Sequence, residues 1–501
     1  MVTSTSRWYA LAALALSTLA IGLDTTILSV ALPTLSRDLH ASTGDLQWFT
    51  NAYLLVLAAV LLPAGMLGDR FGRKKLLLGA LFVFGAASAA CAWADSTGEL
   101  IAARTVLGLG AAVLMPLSGA VLTVLFDDKD RSRALSVWLT ASALGIPLGP
   151  LLGGWLLDNF WWGSVFLINV PLIAVALLAV TLWVPESHGD RTRRFDPLGV
   201  LLSAAGLVAV TYGIIEAGDR GWGDARSLTT MIGGALLLGA FVWWQRRATT
   251  PLVDLALFRS RAFTGGAVLA TLASFGMLGL LFALPQYFSA VGGQDAFGSG
   301  LRLLPVIGGL LIGARTAARV AARVGNRVVI GAGLAMIAAS MIVGSLTSAT
   351  SGYGFVAGWI TVAGIGLGFT LPPSMDAALG ALTPERSGVG NGLIQAMRQV
   401  GGAIGVAVLG TVLSGAYRGD LPAGTPSPAR ESVGSGVAVA AHDPGLLHAV
   451  QAAFTHGMDA SLLVGAAVAG IGVILAWFLL PGRTPDAPVE GDRLVLAESG
   501  L

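Results

Sequence analysis

The chain has one cysteine in 501 residues, Cys91, which excludes an internal disulfide and a cysteine-built metal site. It has three lysines, Lys74, Lys75 and Lys129. None sits in G-x-x-x-x-G-K-[ST], so the chain carries no Walker A loop and no ATP drive of its own. No H-E-x-x-H pair suggests a metal. Charge of both signs is scarce: 12% of residues are charged, against about 25% in soluble proteins. A net charge of +2 is too small to argue for a nucleic-acid partner. What fills the chain is apolar: 55% hydrophobic residues, 68 glycines and a mean hydropathy of +0.77. Small residues at this density suit helices packed backbone to backbone in lipid.

Hydropathy divides the sequence into fourteen apolar runs of about membrane-spanning length. They cover roughly 8–32, 46–68, 75–94, 99–125, 134–157, 164–184, 197–216, 228–244, 262–289, 299–320, 327–347, 353–378, 388–415 and 457–480. The first run lacks a small-residue cleavage site before Asp24 and reads as an uncleaved span. Basic residues tend to stay on the cytoplasmic side of short loops. With a cytoplasmic N-terminus, 22 of the 30 lysines and arginines fall on inner segments and 6 on outer ones. Arg104 and Arg398 remain inside spans. This places both termini in the cytoplasm and requires an even number of spans. The expected architecture is all-α and integral to the membrane, with six spans in 1–184, two in 185–260, six in 261–481 and a polar tail at 482–501. Tyr417 to His456 reads as an outer loop, flexible or partly helical.

The turn Gly65-Met66-Leu67-Gly68-Asp69-Arg70-Phe71-Gly72-Arg73-Lys74-Lys75 packs five charges and three glycines between two spans. It echoes at Ala322-Arg323-Val324-Gly325-Asn326-Arg327, on the same side, with Ala322 in place of Asp69. Repeated halves are a recurrent transporter architecture. In span five, Gly145, Gly149 and Gly153 recur every fourth residue beside Pro147, Pro150 and Gly154. That spacing allows a close helix neighbour, and the prolines bend the helix.

Three motifs carry a resemblance. The first turn resembles the signature loop of the major facilitator superfamily. Gly145 to Gly154 resembles the antiporter motif of its drug exporters. Leu23-Asp24-Thr25-Thr26-Ile27-Leu28-Ser29-Val30-Ala31-Leu32-Pro33 is similar to the span-one signature of the fourteen-span drug:proton antiporters. Phe195-Asp196-Pro197-Leu198-Gly199 and Pro251 to Phe258, which flank the extra helix pair, agree with that family. The resemblance implies a major facilitator fold: two six-helix halves plus two additional central helices. It also implies a monomer in the cytoplasmic membrane, driven by a proton gradient without a cofactor, that exports drugs or antibiotics. Gly65, Asp69, Arg70, Gly72 and Arg73 would form a charge latch that holds the halves closed on the cytoplasmic side, with Asp69 paired to an adjacent helix N-terminus or to nearby arginines. Gly145, Gly149, Pro150, Gly153 and Gly154 would form the antiporter hinge. Asp127, Asp128 and Asp130 are candidate partners for Arg70 and Arg73.

Ionisable groups within spans are costly and point to function. Asp24 lies about 16 residues along span one, roughly 24 Å from its inner end. Arg104 lies about five residues into span four from the outer side and so at similar depth. It opens Arg104-Thr105-Val106-Leu107-Gly108-Leu109-Gly110, which resembles a motif implicated in proton transfer. Burial and a neighbouring arginine act oppositely on a carboxylate, so Asp24 beside Arg104 suits a proton site that a cationic drug competes for. A static ion pair, or Asp24 as the substrate group, fits the same residues. Asp376 offers a second proton or substrate site, or an interfacial acid. Asn391, Gln395, Arg398 and Gln399 share a helix face and suit either a polar cavity wall or interhelical hydrogen bonding. Phe275, Phe282, Tyr287, Trp359 and Phe369 suit cavity lining or packing. Glu216 is expected at the surface. The competing functions are drug export, export of one endogenous metabolite, and a membrane enzyme or sensor, for which neither a catalytic constellation nor a soluble domain is visible.

Overall fold

A computed structural model describes residues 4–189 and 196–482. Phe195, Arg191, Arg193, Arg194 and the tail from 483 onward lie outside the described residues. The first six spans comprise α1 (Ser4–Asp38), α2 (Thr43–Phe71), α3 (Arg73–Ala92), α4 (Thr97–Leu125), α5 (Asp128–Asn159), and α6 (Ser164–Leu167) running on into α7 (Asn169–Trp183). The extra pair is α8 (Pro197–Arg220) and α9 (Ala225–Gln245), followed by a 3-10 turn (Leu255–Arg259). Next come α10 (Arg261–Ala290), α11 (Ala296–Arg302) leading into α12 (Leu304–Val324), α13 (Asn326–Gly344), α14 (Tyr353–Leu379) and α15 (Pro384–Asp420). Short helices α16 (Ser427–Glu431) and α17 (Val433–Val439) precede the last span, α18 (Pro444–Leu479). Among the described residues, fourteen helical stretches are long and apolar enough to cross a membrane. The protein is an all-α, multi-pass membrane protein.

The two six-span sets repeat their packing. In the first, α1 packs on α5, α2 on α4, and α3 on both α4 and α7. In the second, α10 packs on α15, α12 on α14, and α13 on both α14 and α18. The sequence echo is structural as well. Gly72 (φ 107°) joins α2 to α3 and Gly325 (φ 87°) joins α12 to α13. Both use a backbone region that is cheap only for glycine, which lets one span turn directly into the next. The face carrying Arg70, Lys74, Lys75 and Arg323 is the basic face, and the opposite one is the far face.

Side-chain caps set many of the helix starts. Ser42 and Asp45 form a capping box at α2, and Asp224, Ser260, Asp295 and Asp443 cap α9, α10, α11 and α18. α8 lies along the α2–α15 contact, where Thr411 donates to the Ile214 carbonyl at 2.9 Å and Arg418 meets Asp219 at 2.6 Å. α9 packs on α8, its other face remaining exposed. The two quoted stretches flanking the pair converge. Asp196 accepts from Gly199 N (2.9 Å), Trp244 Nε1 (3.0 Å) and Gln245 Nε2 (2.7 Å), while Gln245 Oε1 accepts from Val253 N at 3.0 Å. Desolvation opposes the Asp196 charge, yet these bonds together with one from Leu252 N hold its carboxyl below the ordinary aspartate value.

The loop expected over Tyr417 to His456 is largely structured. α15 continues to Asp420 and α18 begins at Pro444, well before the expected 457. Asp443 as cap, Pro444 in the first turn and the buried run Val450, Ala453 and Phe454 extend the helix past the apolar window. The segment between docks on the first half: Ser432 Oγ lies 2.7 Å from Ser36 Oγ of α1, and Thr43 donates to the Glu431 carbonyl at 3.1 Å.

Candidate functional site: a buried ion pair behind a glycine seam

Asp24 of α1 and Arg104 of α4 meet, Nη1 to Oδ2 at 2.7 Å, with side chains 0% and 1% exposed. Similar depth in antiparallel helices predicts this contact, and the packing of α1 and α4 beside α2 delivers it. Arg104 Nε also donates to the Phe49 carbonyl at 2.9 Å, and its guanidinium stands 4.6 Å from the Tyr53 ring centre. Asn169 Nδ2 reaches Asp24 Oδ1 at 3.4 Å and Ser88 Oγ at 3.3 Å. Five helices, α1, α2, α3, α4 and α7, thus close around one pair of charges. Removing two charges from water costs several kcal/mol per ion (roughly), offset only by good geometry and further hydrogen bonds. Here one carboxylate oxygen has a short partner and the other only the long contact to Asn169.

Three of these partners escaped the sequence reading: Asn169, Ser88 and Tyr53. Asn169 was detectable as a polar residue early in an apolar span, by the same rule that selected Asp24. Asp459 was also missed, because the last span was started too near it. Its Oδ1 is buried without a hydrogen-bond partner, one helical turn from His456, whose Nδ1 contacts Asp420.

The antiporter glycines build the wall behind Asp24. A Cβ on Gly145 would lie 2.6 Å from Gly22 C, one on Gly149 would lie 2.0 Å from Thr26 Oγ1, and one on Gly153 would lie 2.4 Å from Ile27 Cγ1. α1 and α5 therefore touch backbone to backbone, and Thr26 Oγ1 donates across the seam to the Gly145 carbonyl at 3.1 Å. Pro147 and Pro150 lie within α5 without ending it. The other face of α5 meets the second half. A Cβ on Gly154 would lie 2.6 Å from Phe297 Cα, and one on Gly300 would lie 2.3 Å from the Pro150 carbonyl oxygen. Asp158 caps α11 across the same junction, accepting from Ala296 N (3.1 Å) and Phe297 N (2.9 Å). The halves are thus closed on each other at the far face. Toward the basic face, Val137, Leu139 and Leu144 of α5 are exposed.

The expected latch residues stay within the first half. Arg73 pairs with Asp69 at 2.7 Å and donates to the Ala120 carbonyl at 3.3 Å. Gly189 N donates to the Asp69 carbonyl at 3.1 Å. Asp127 and Asp130 do not serve Arg70 or Arg73: Arg7 takes them, at 3.6 and 2.6 Å, and the Asp128 side chain lies outside the described residues. Arg70 lies over its neighbour Phe71. The reason is reach, since Asp69 is one helical turn from Arg73 and needs no loop to approach. Gly65 has open space where a Cβ would point. A side chain on Gly72 would meet the Glu186 carboxylate at 2.8 Å, which accepts from Lys74 N at 3.0 Å.

In the second half, Arg398 donates to Gln395 Oε1 (2.8 Å) and Ser274 Oγ (3.2 Å), and its Nη1 stands 3.9 Å from Met375 Sδ. Asp376, next to Met375, is exposed and forms no ion pair with a described residue. Asn391 is exposed. Gly401 and Gly405, on the helix of Arg398, repeat the seam: a Cβ would lie 2.4 Å from the Thr271 carbonyl and 2.2 Å from the Phe275 carbonyl. Phe275, Phe282, Tyr287 and Trp359 are buried, and Tyr287 also lines a small pocket with Phe288, Arg302 and Tyr353, while Phe369 is half-buried. Glu216 is not freely exposed, since it pairs with Arg220 at 2.5 Å.

Residues 14–406 match the sequence profile of the Major Facilitator Superfamily. The chain belongs to this superfamily. It is 33% identical to the tetracenomycin C resistance and export protein of Streptomyces glaucescens, covering 96% of this chain and 94% of that one. It is likewise 33% identical to the multidrug efflux pump LfrA of Mycolicibacterium smegmatis, over 94% and 97% of the two chains. In fold it matches a bacterial homologue of the human lysosomal transporter Spinster, with a TM-score of 0.70 at 17% identity over 97% of this chain and all of the other. The superfamily is one of transporters.

Proposed function

We propose that this facilitator is a proton-driven antiporter that exports bulky, hydrophobic small molecules, drugs or antibiotics and often cations, across the bacterial cytoplasmic membrane. The basic face is cytoplasmic and holds both termini. The protein acts as a monomer, without catalysis or a cofactor, on the proton gradient alone. The observation that carries this reading is the Asp24–Arg104 pair, sealed in the bilayer and backed by the α1–α5 seam.

Coupling requires that proton binding favour one conformation over another. A proton on Asp24 would neutralise it and release Arg104 toward Phe49 O and Tyr53. Because Thr26 lies two residues from Asp24 and bonds to Gly145, a shift of α1 would be felt by α5, which closes the far face against α11. The exposed basic-side half of α5 suits loading from the cytoplasm. Gln395, Arg398, Asp376 and Asn391 supply polar groups for the second wall of the cavity. The relatives' names speak of multidrug efflux and of tetracenomycin C resistance and export, so they support both broad drug efflux and export of a single compound, and the second reading rests on the tetracenomycin exporter.

The test is drug-triggered proton release from everted membrane vesicles, wild type beside Asp24→Asn, with cationic dyes and an antibiotic panel. Collapse of the proton gradient in wild type alone supports antiport through Asp24. Collapse in both moves the proton site elsewhere. No collapse with any compound excludes broad drug antiport and favours the single-metabolite exporter.

A further inference from the structure

α9 ends at the basic face in Trp243, Trp244 and Gln245, and Gln245 turns inward to Asp196. Arg246 and Arg247 follow, and the chain then folds back through the 3-10 turn Leu255–Arg259 into α10. Between the end of α9 and this turn lies a groove of about 470 Å³, lined by Val242, Arg246, Leu255, Ala256, Phe258 and Arg259. That volume falls within the range of small-molecule sites, roughly 300–1,000 Å³. Its walls are apolar toward the membrane and its rim is cationic.

Arg246, Arg247, Arg259 and Arg261 cluster in this corner. None has a carboxylate partner among the described residues. Arg247 stacks on Trp243 at 4.5 Å. The nearby acids are occupied: Asp254 accepts from Ala256 N at 3.0 Å and faces Arg386 at 3.8 Å, and Asp196 is held by its cage of donors. The end of α9 contributes about half a negative charge, which two guanidiniums at the groove outweigh. Above the groove, α9 presents Ile232, Leu236, Val242 and Trp243 outward, all exposed, along the membrane-facing side of the helix.

We propose that this groove binds one anionic glycerophospholipid of the basic-face leaflet. Arg246 and Arg259 hold its phosphate, and its acyl chains run along α9 past Val242 and Leu236. A basic pocket at the membrane surface below an apolar strip has the chemistry of an acidic lipid headgroup site. The lipid would wedge α9 and the turn before α10, the junction through which the extra pair is joined to the second half.

The experiment uses the full-length protein, delipidated in detergent, and native mass spectrometry with phosphatidylglycerol or phosphatidylcholine added. Wild type is expected to retain one phosphatidylglycerol where phosphatidylcholine is stripped. At about 1 kcal/mol per surface arginine, Arg246→Gln/Arg259→Gln should bind it about thirtyfold more weakly. Arg259→Gln alone, on an exposed turn, should bind about fivefold more weakly and serves if the double variant does not purify. Arg302→Gln at the far face should leave binding unchanged. Equal retention of phosphatidylcholine, or undiminished phosphatidylglycerol binding by the single and double variants, would overturn the proposal. Displacement of the lipid by millimolar inorganic phosphate would overturn it too, marking a free-anion site instead.

Discussion

Replacing Gly149 with alanine tests whether the seam holds Asp24 in place. In a helix interior, alanine is favoured over glycine by about 0.5–1 kcal/mol. Gly119 of α4 sets the baseline, because its new Cβ would meet only Trp138 Cη2, at 3.7 Å, an ordinary contact. Gly119→Ala should therefore stabilise slightly. At Gly149 the new Cβ would lie 2.0 Å from Thr26 Oγ1, 3.0 Å from Thr26 Cβ and 3.1 Å from Ile27 N. Thr26 can rotate its hydroxyl away only by giving up the bond to Gly145 O, and the backbone nitrogen cannot rotate at all. α1 and α5 must then separate by a few tenths of an ångström. Overpacking of this kind costs about 1–3 kcal/mol, which exceeds the helix-propensity gain over most of its range. Gly149→Ala should thus melt below Gly119→Ala in detergent and lose proton-coupled dye efflux, while inserting normally. Adding Thr26→Ala removes the 2.0 Å clash and should restore part of both. A Gly149→Ala protein as stable and active as Gly119→Ala, or no recovery on adding Thr26→Ala, would refute the reasoning. Gly154 differs, because it faces α11 rather than α1. A side chain there loosens the far-face junction between the halves and leaves the seam intact.

Three further sets of substitutions probe the buried pair, the loop contact and the Asp196 cage. Arg104→Gln leaves Asp24 buried without its counter-charge, which costs about 3–5 kcal/mol. The Asp24→Asn/Arg104→Gln double variant should regain much of that stability in thermal melts but no proton coupling, and full additivity of the two singles would contradict the pair. Ser36→Cys/Ser432→Cys places two thiols where the hydroxyls stand 2.7 Å apart, and the native thiol, Cys91, is buried. Oxidation should crosslink loop to α1 and stop export, and reduction should restore it; undiminished export by the crosslinked protein would show that this contact never opens. Asp196 is held below its ordinary value of 3.8, so its stabilisation is full above that pH and is lost as pH falls through the lower folded-state value. Melting temperature should drop with acidification below about pH 4 in wild type, less steeply in Asp196→Asn, and identical slopes would contradict the assignment.

Much of this was legible in residues. The number of spans, their order and the repeat followed from apolar run length and from where arginines fall, because a bilayer admits few other ways to satisfy a backbone. Asp24 and Arg104 could be matched by depth alone. The antiporter glycines announced a close neighbour by their spacing, without saying which helix it would be. Helix ends were less legible where polar residues continue a helix beyond the membrane, as at Pro444 to Thr455. Asp459 was lost with that boundary.

The sequence by itself determined that this chain has fourteen membrane-spanning runs, two related sets of six with an extra pair between them in the chain, and which charges lie inside. Local composition controls both, since transfer into lipid is decided residue by residue. Only the tertiary structure decided partners. It chose Arg73 as the partner of Asp69, gave Asp127 and Asp130 to Arg7, laid α8 along α2 and α15, and gathered Asn169, Ser88 and Tyr53 around the buried pair. Such choices depend on which helix faces meet, and faces separated by scores of residues are fixed by packing the whole bundle at once.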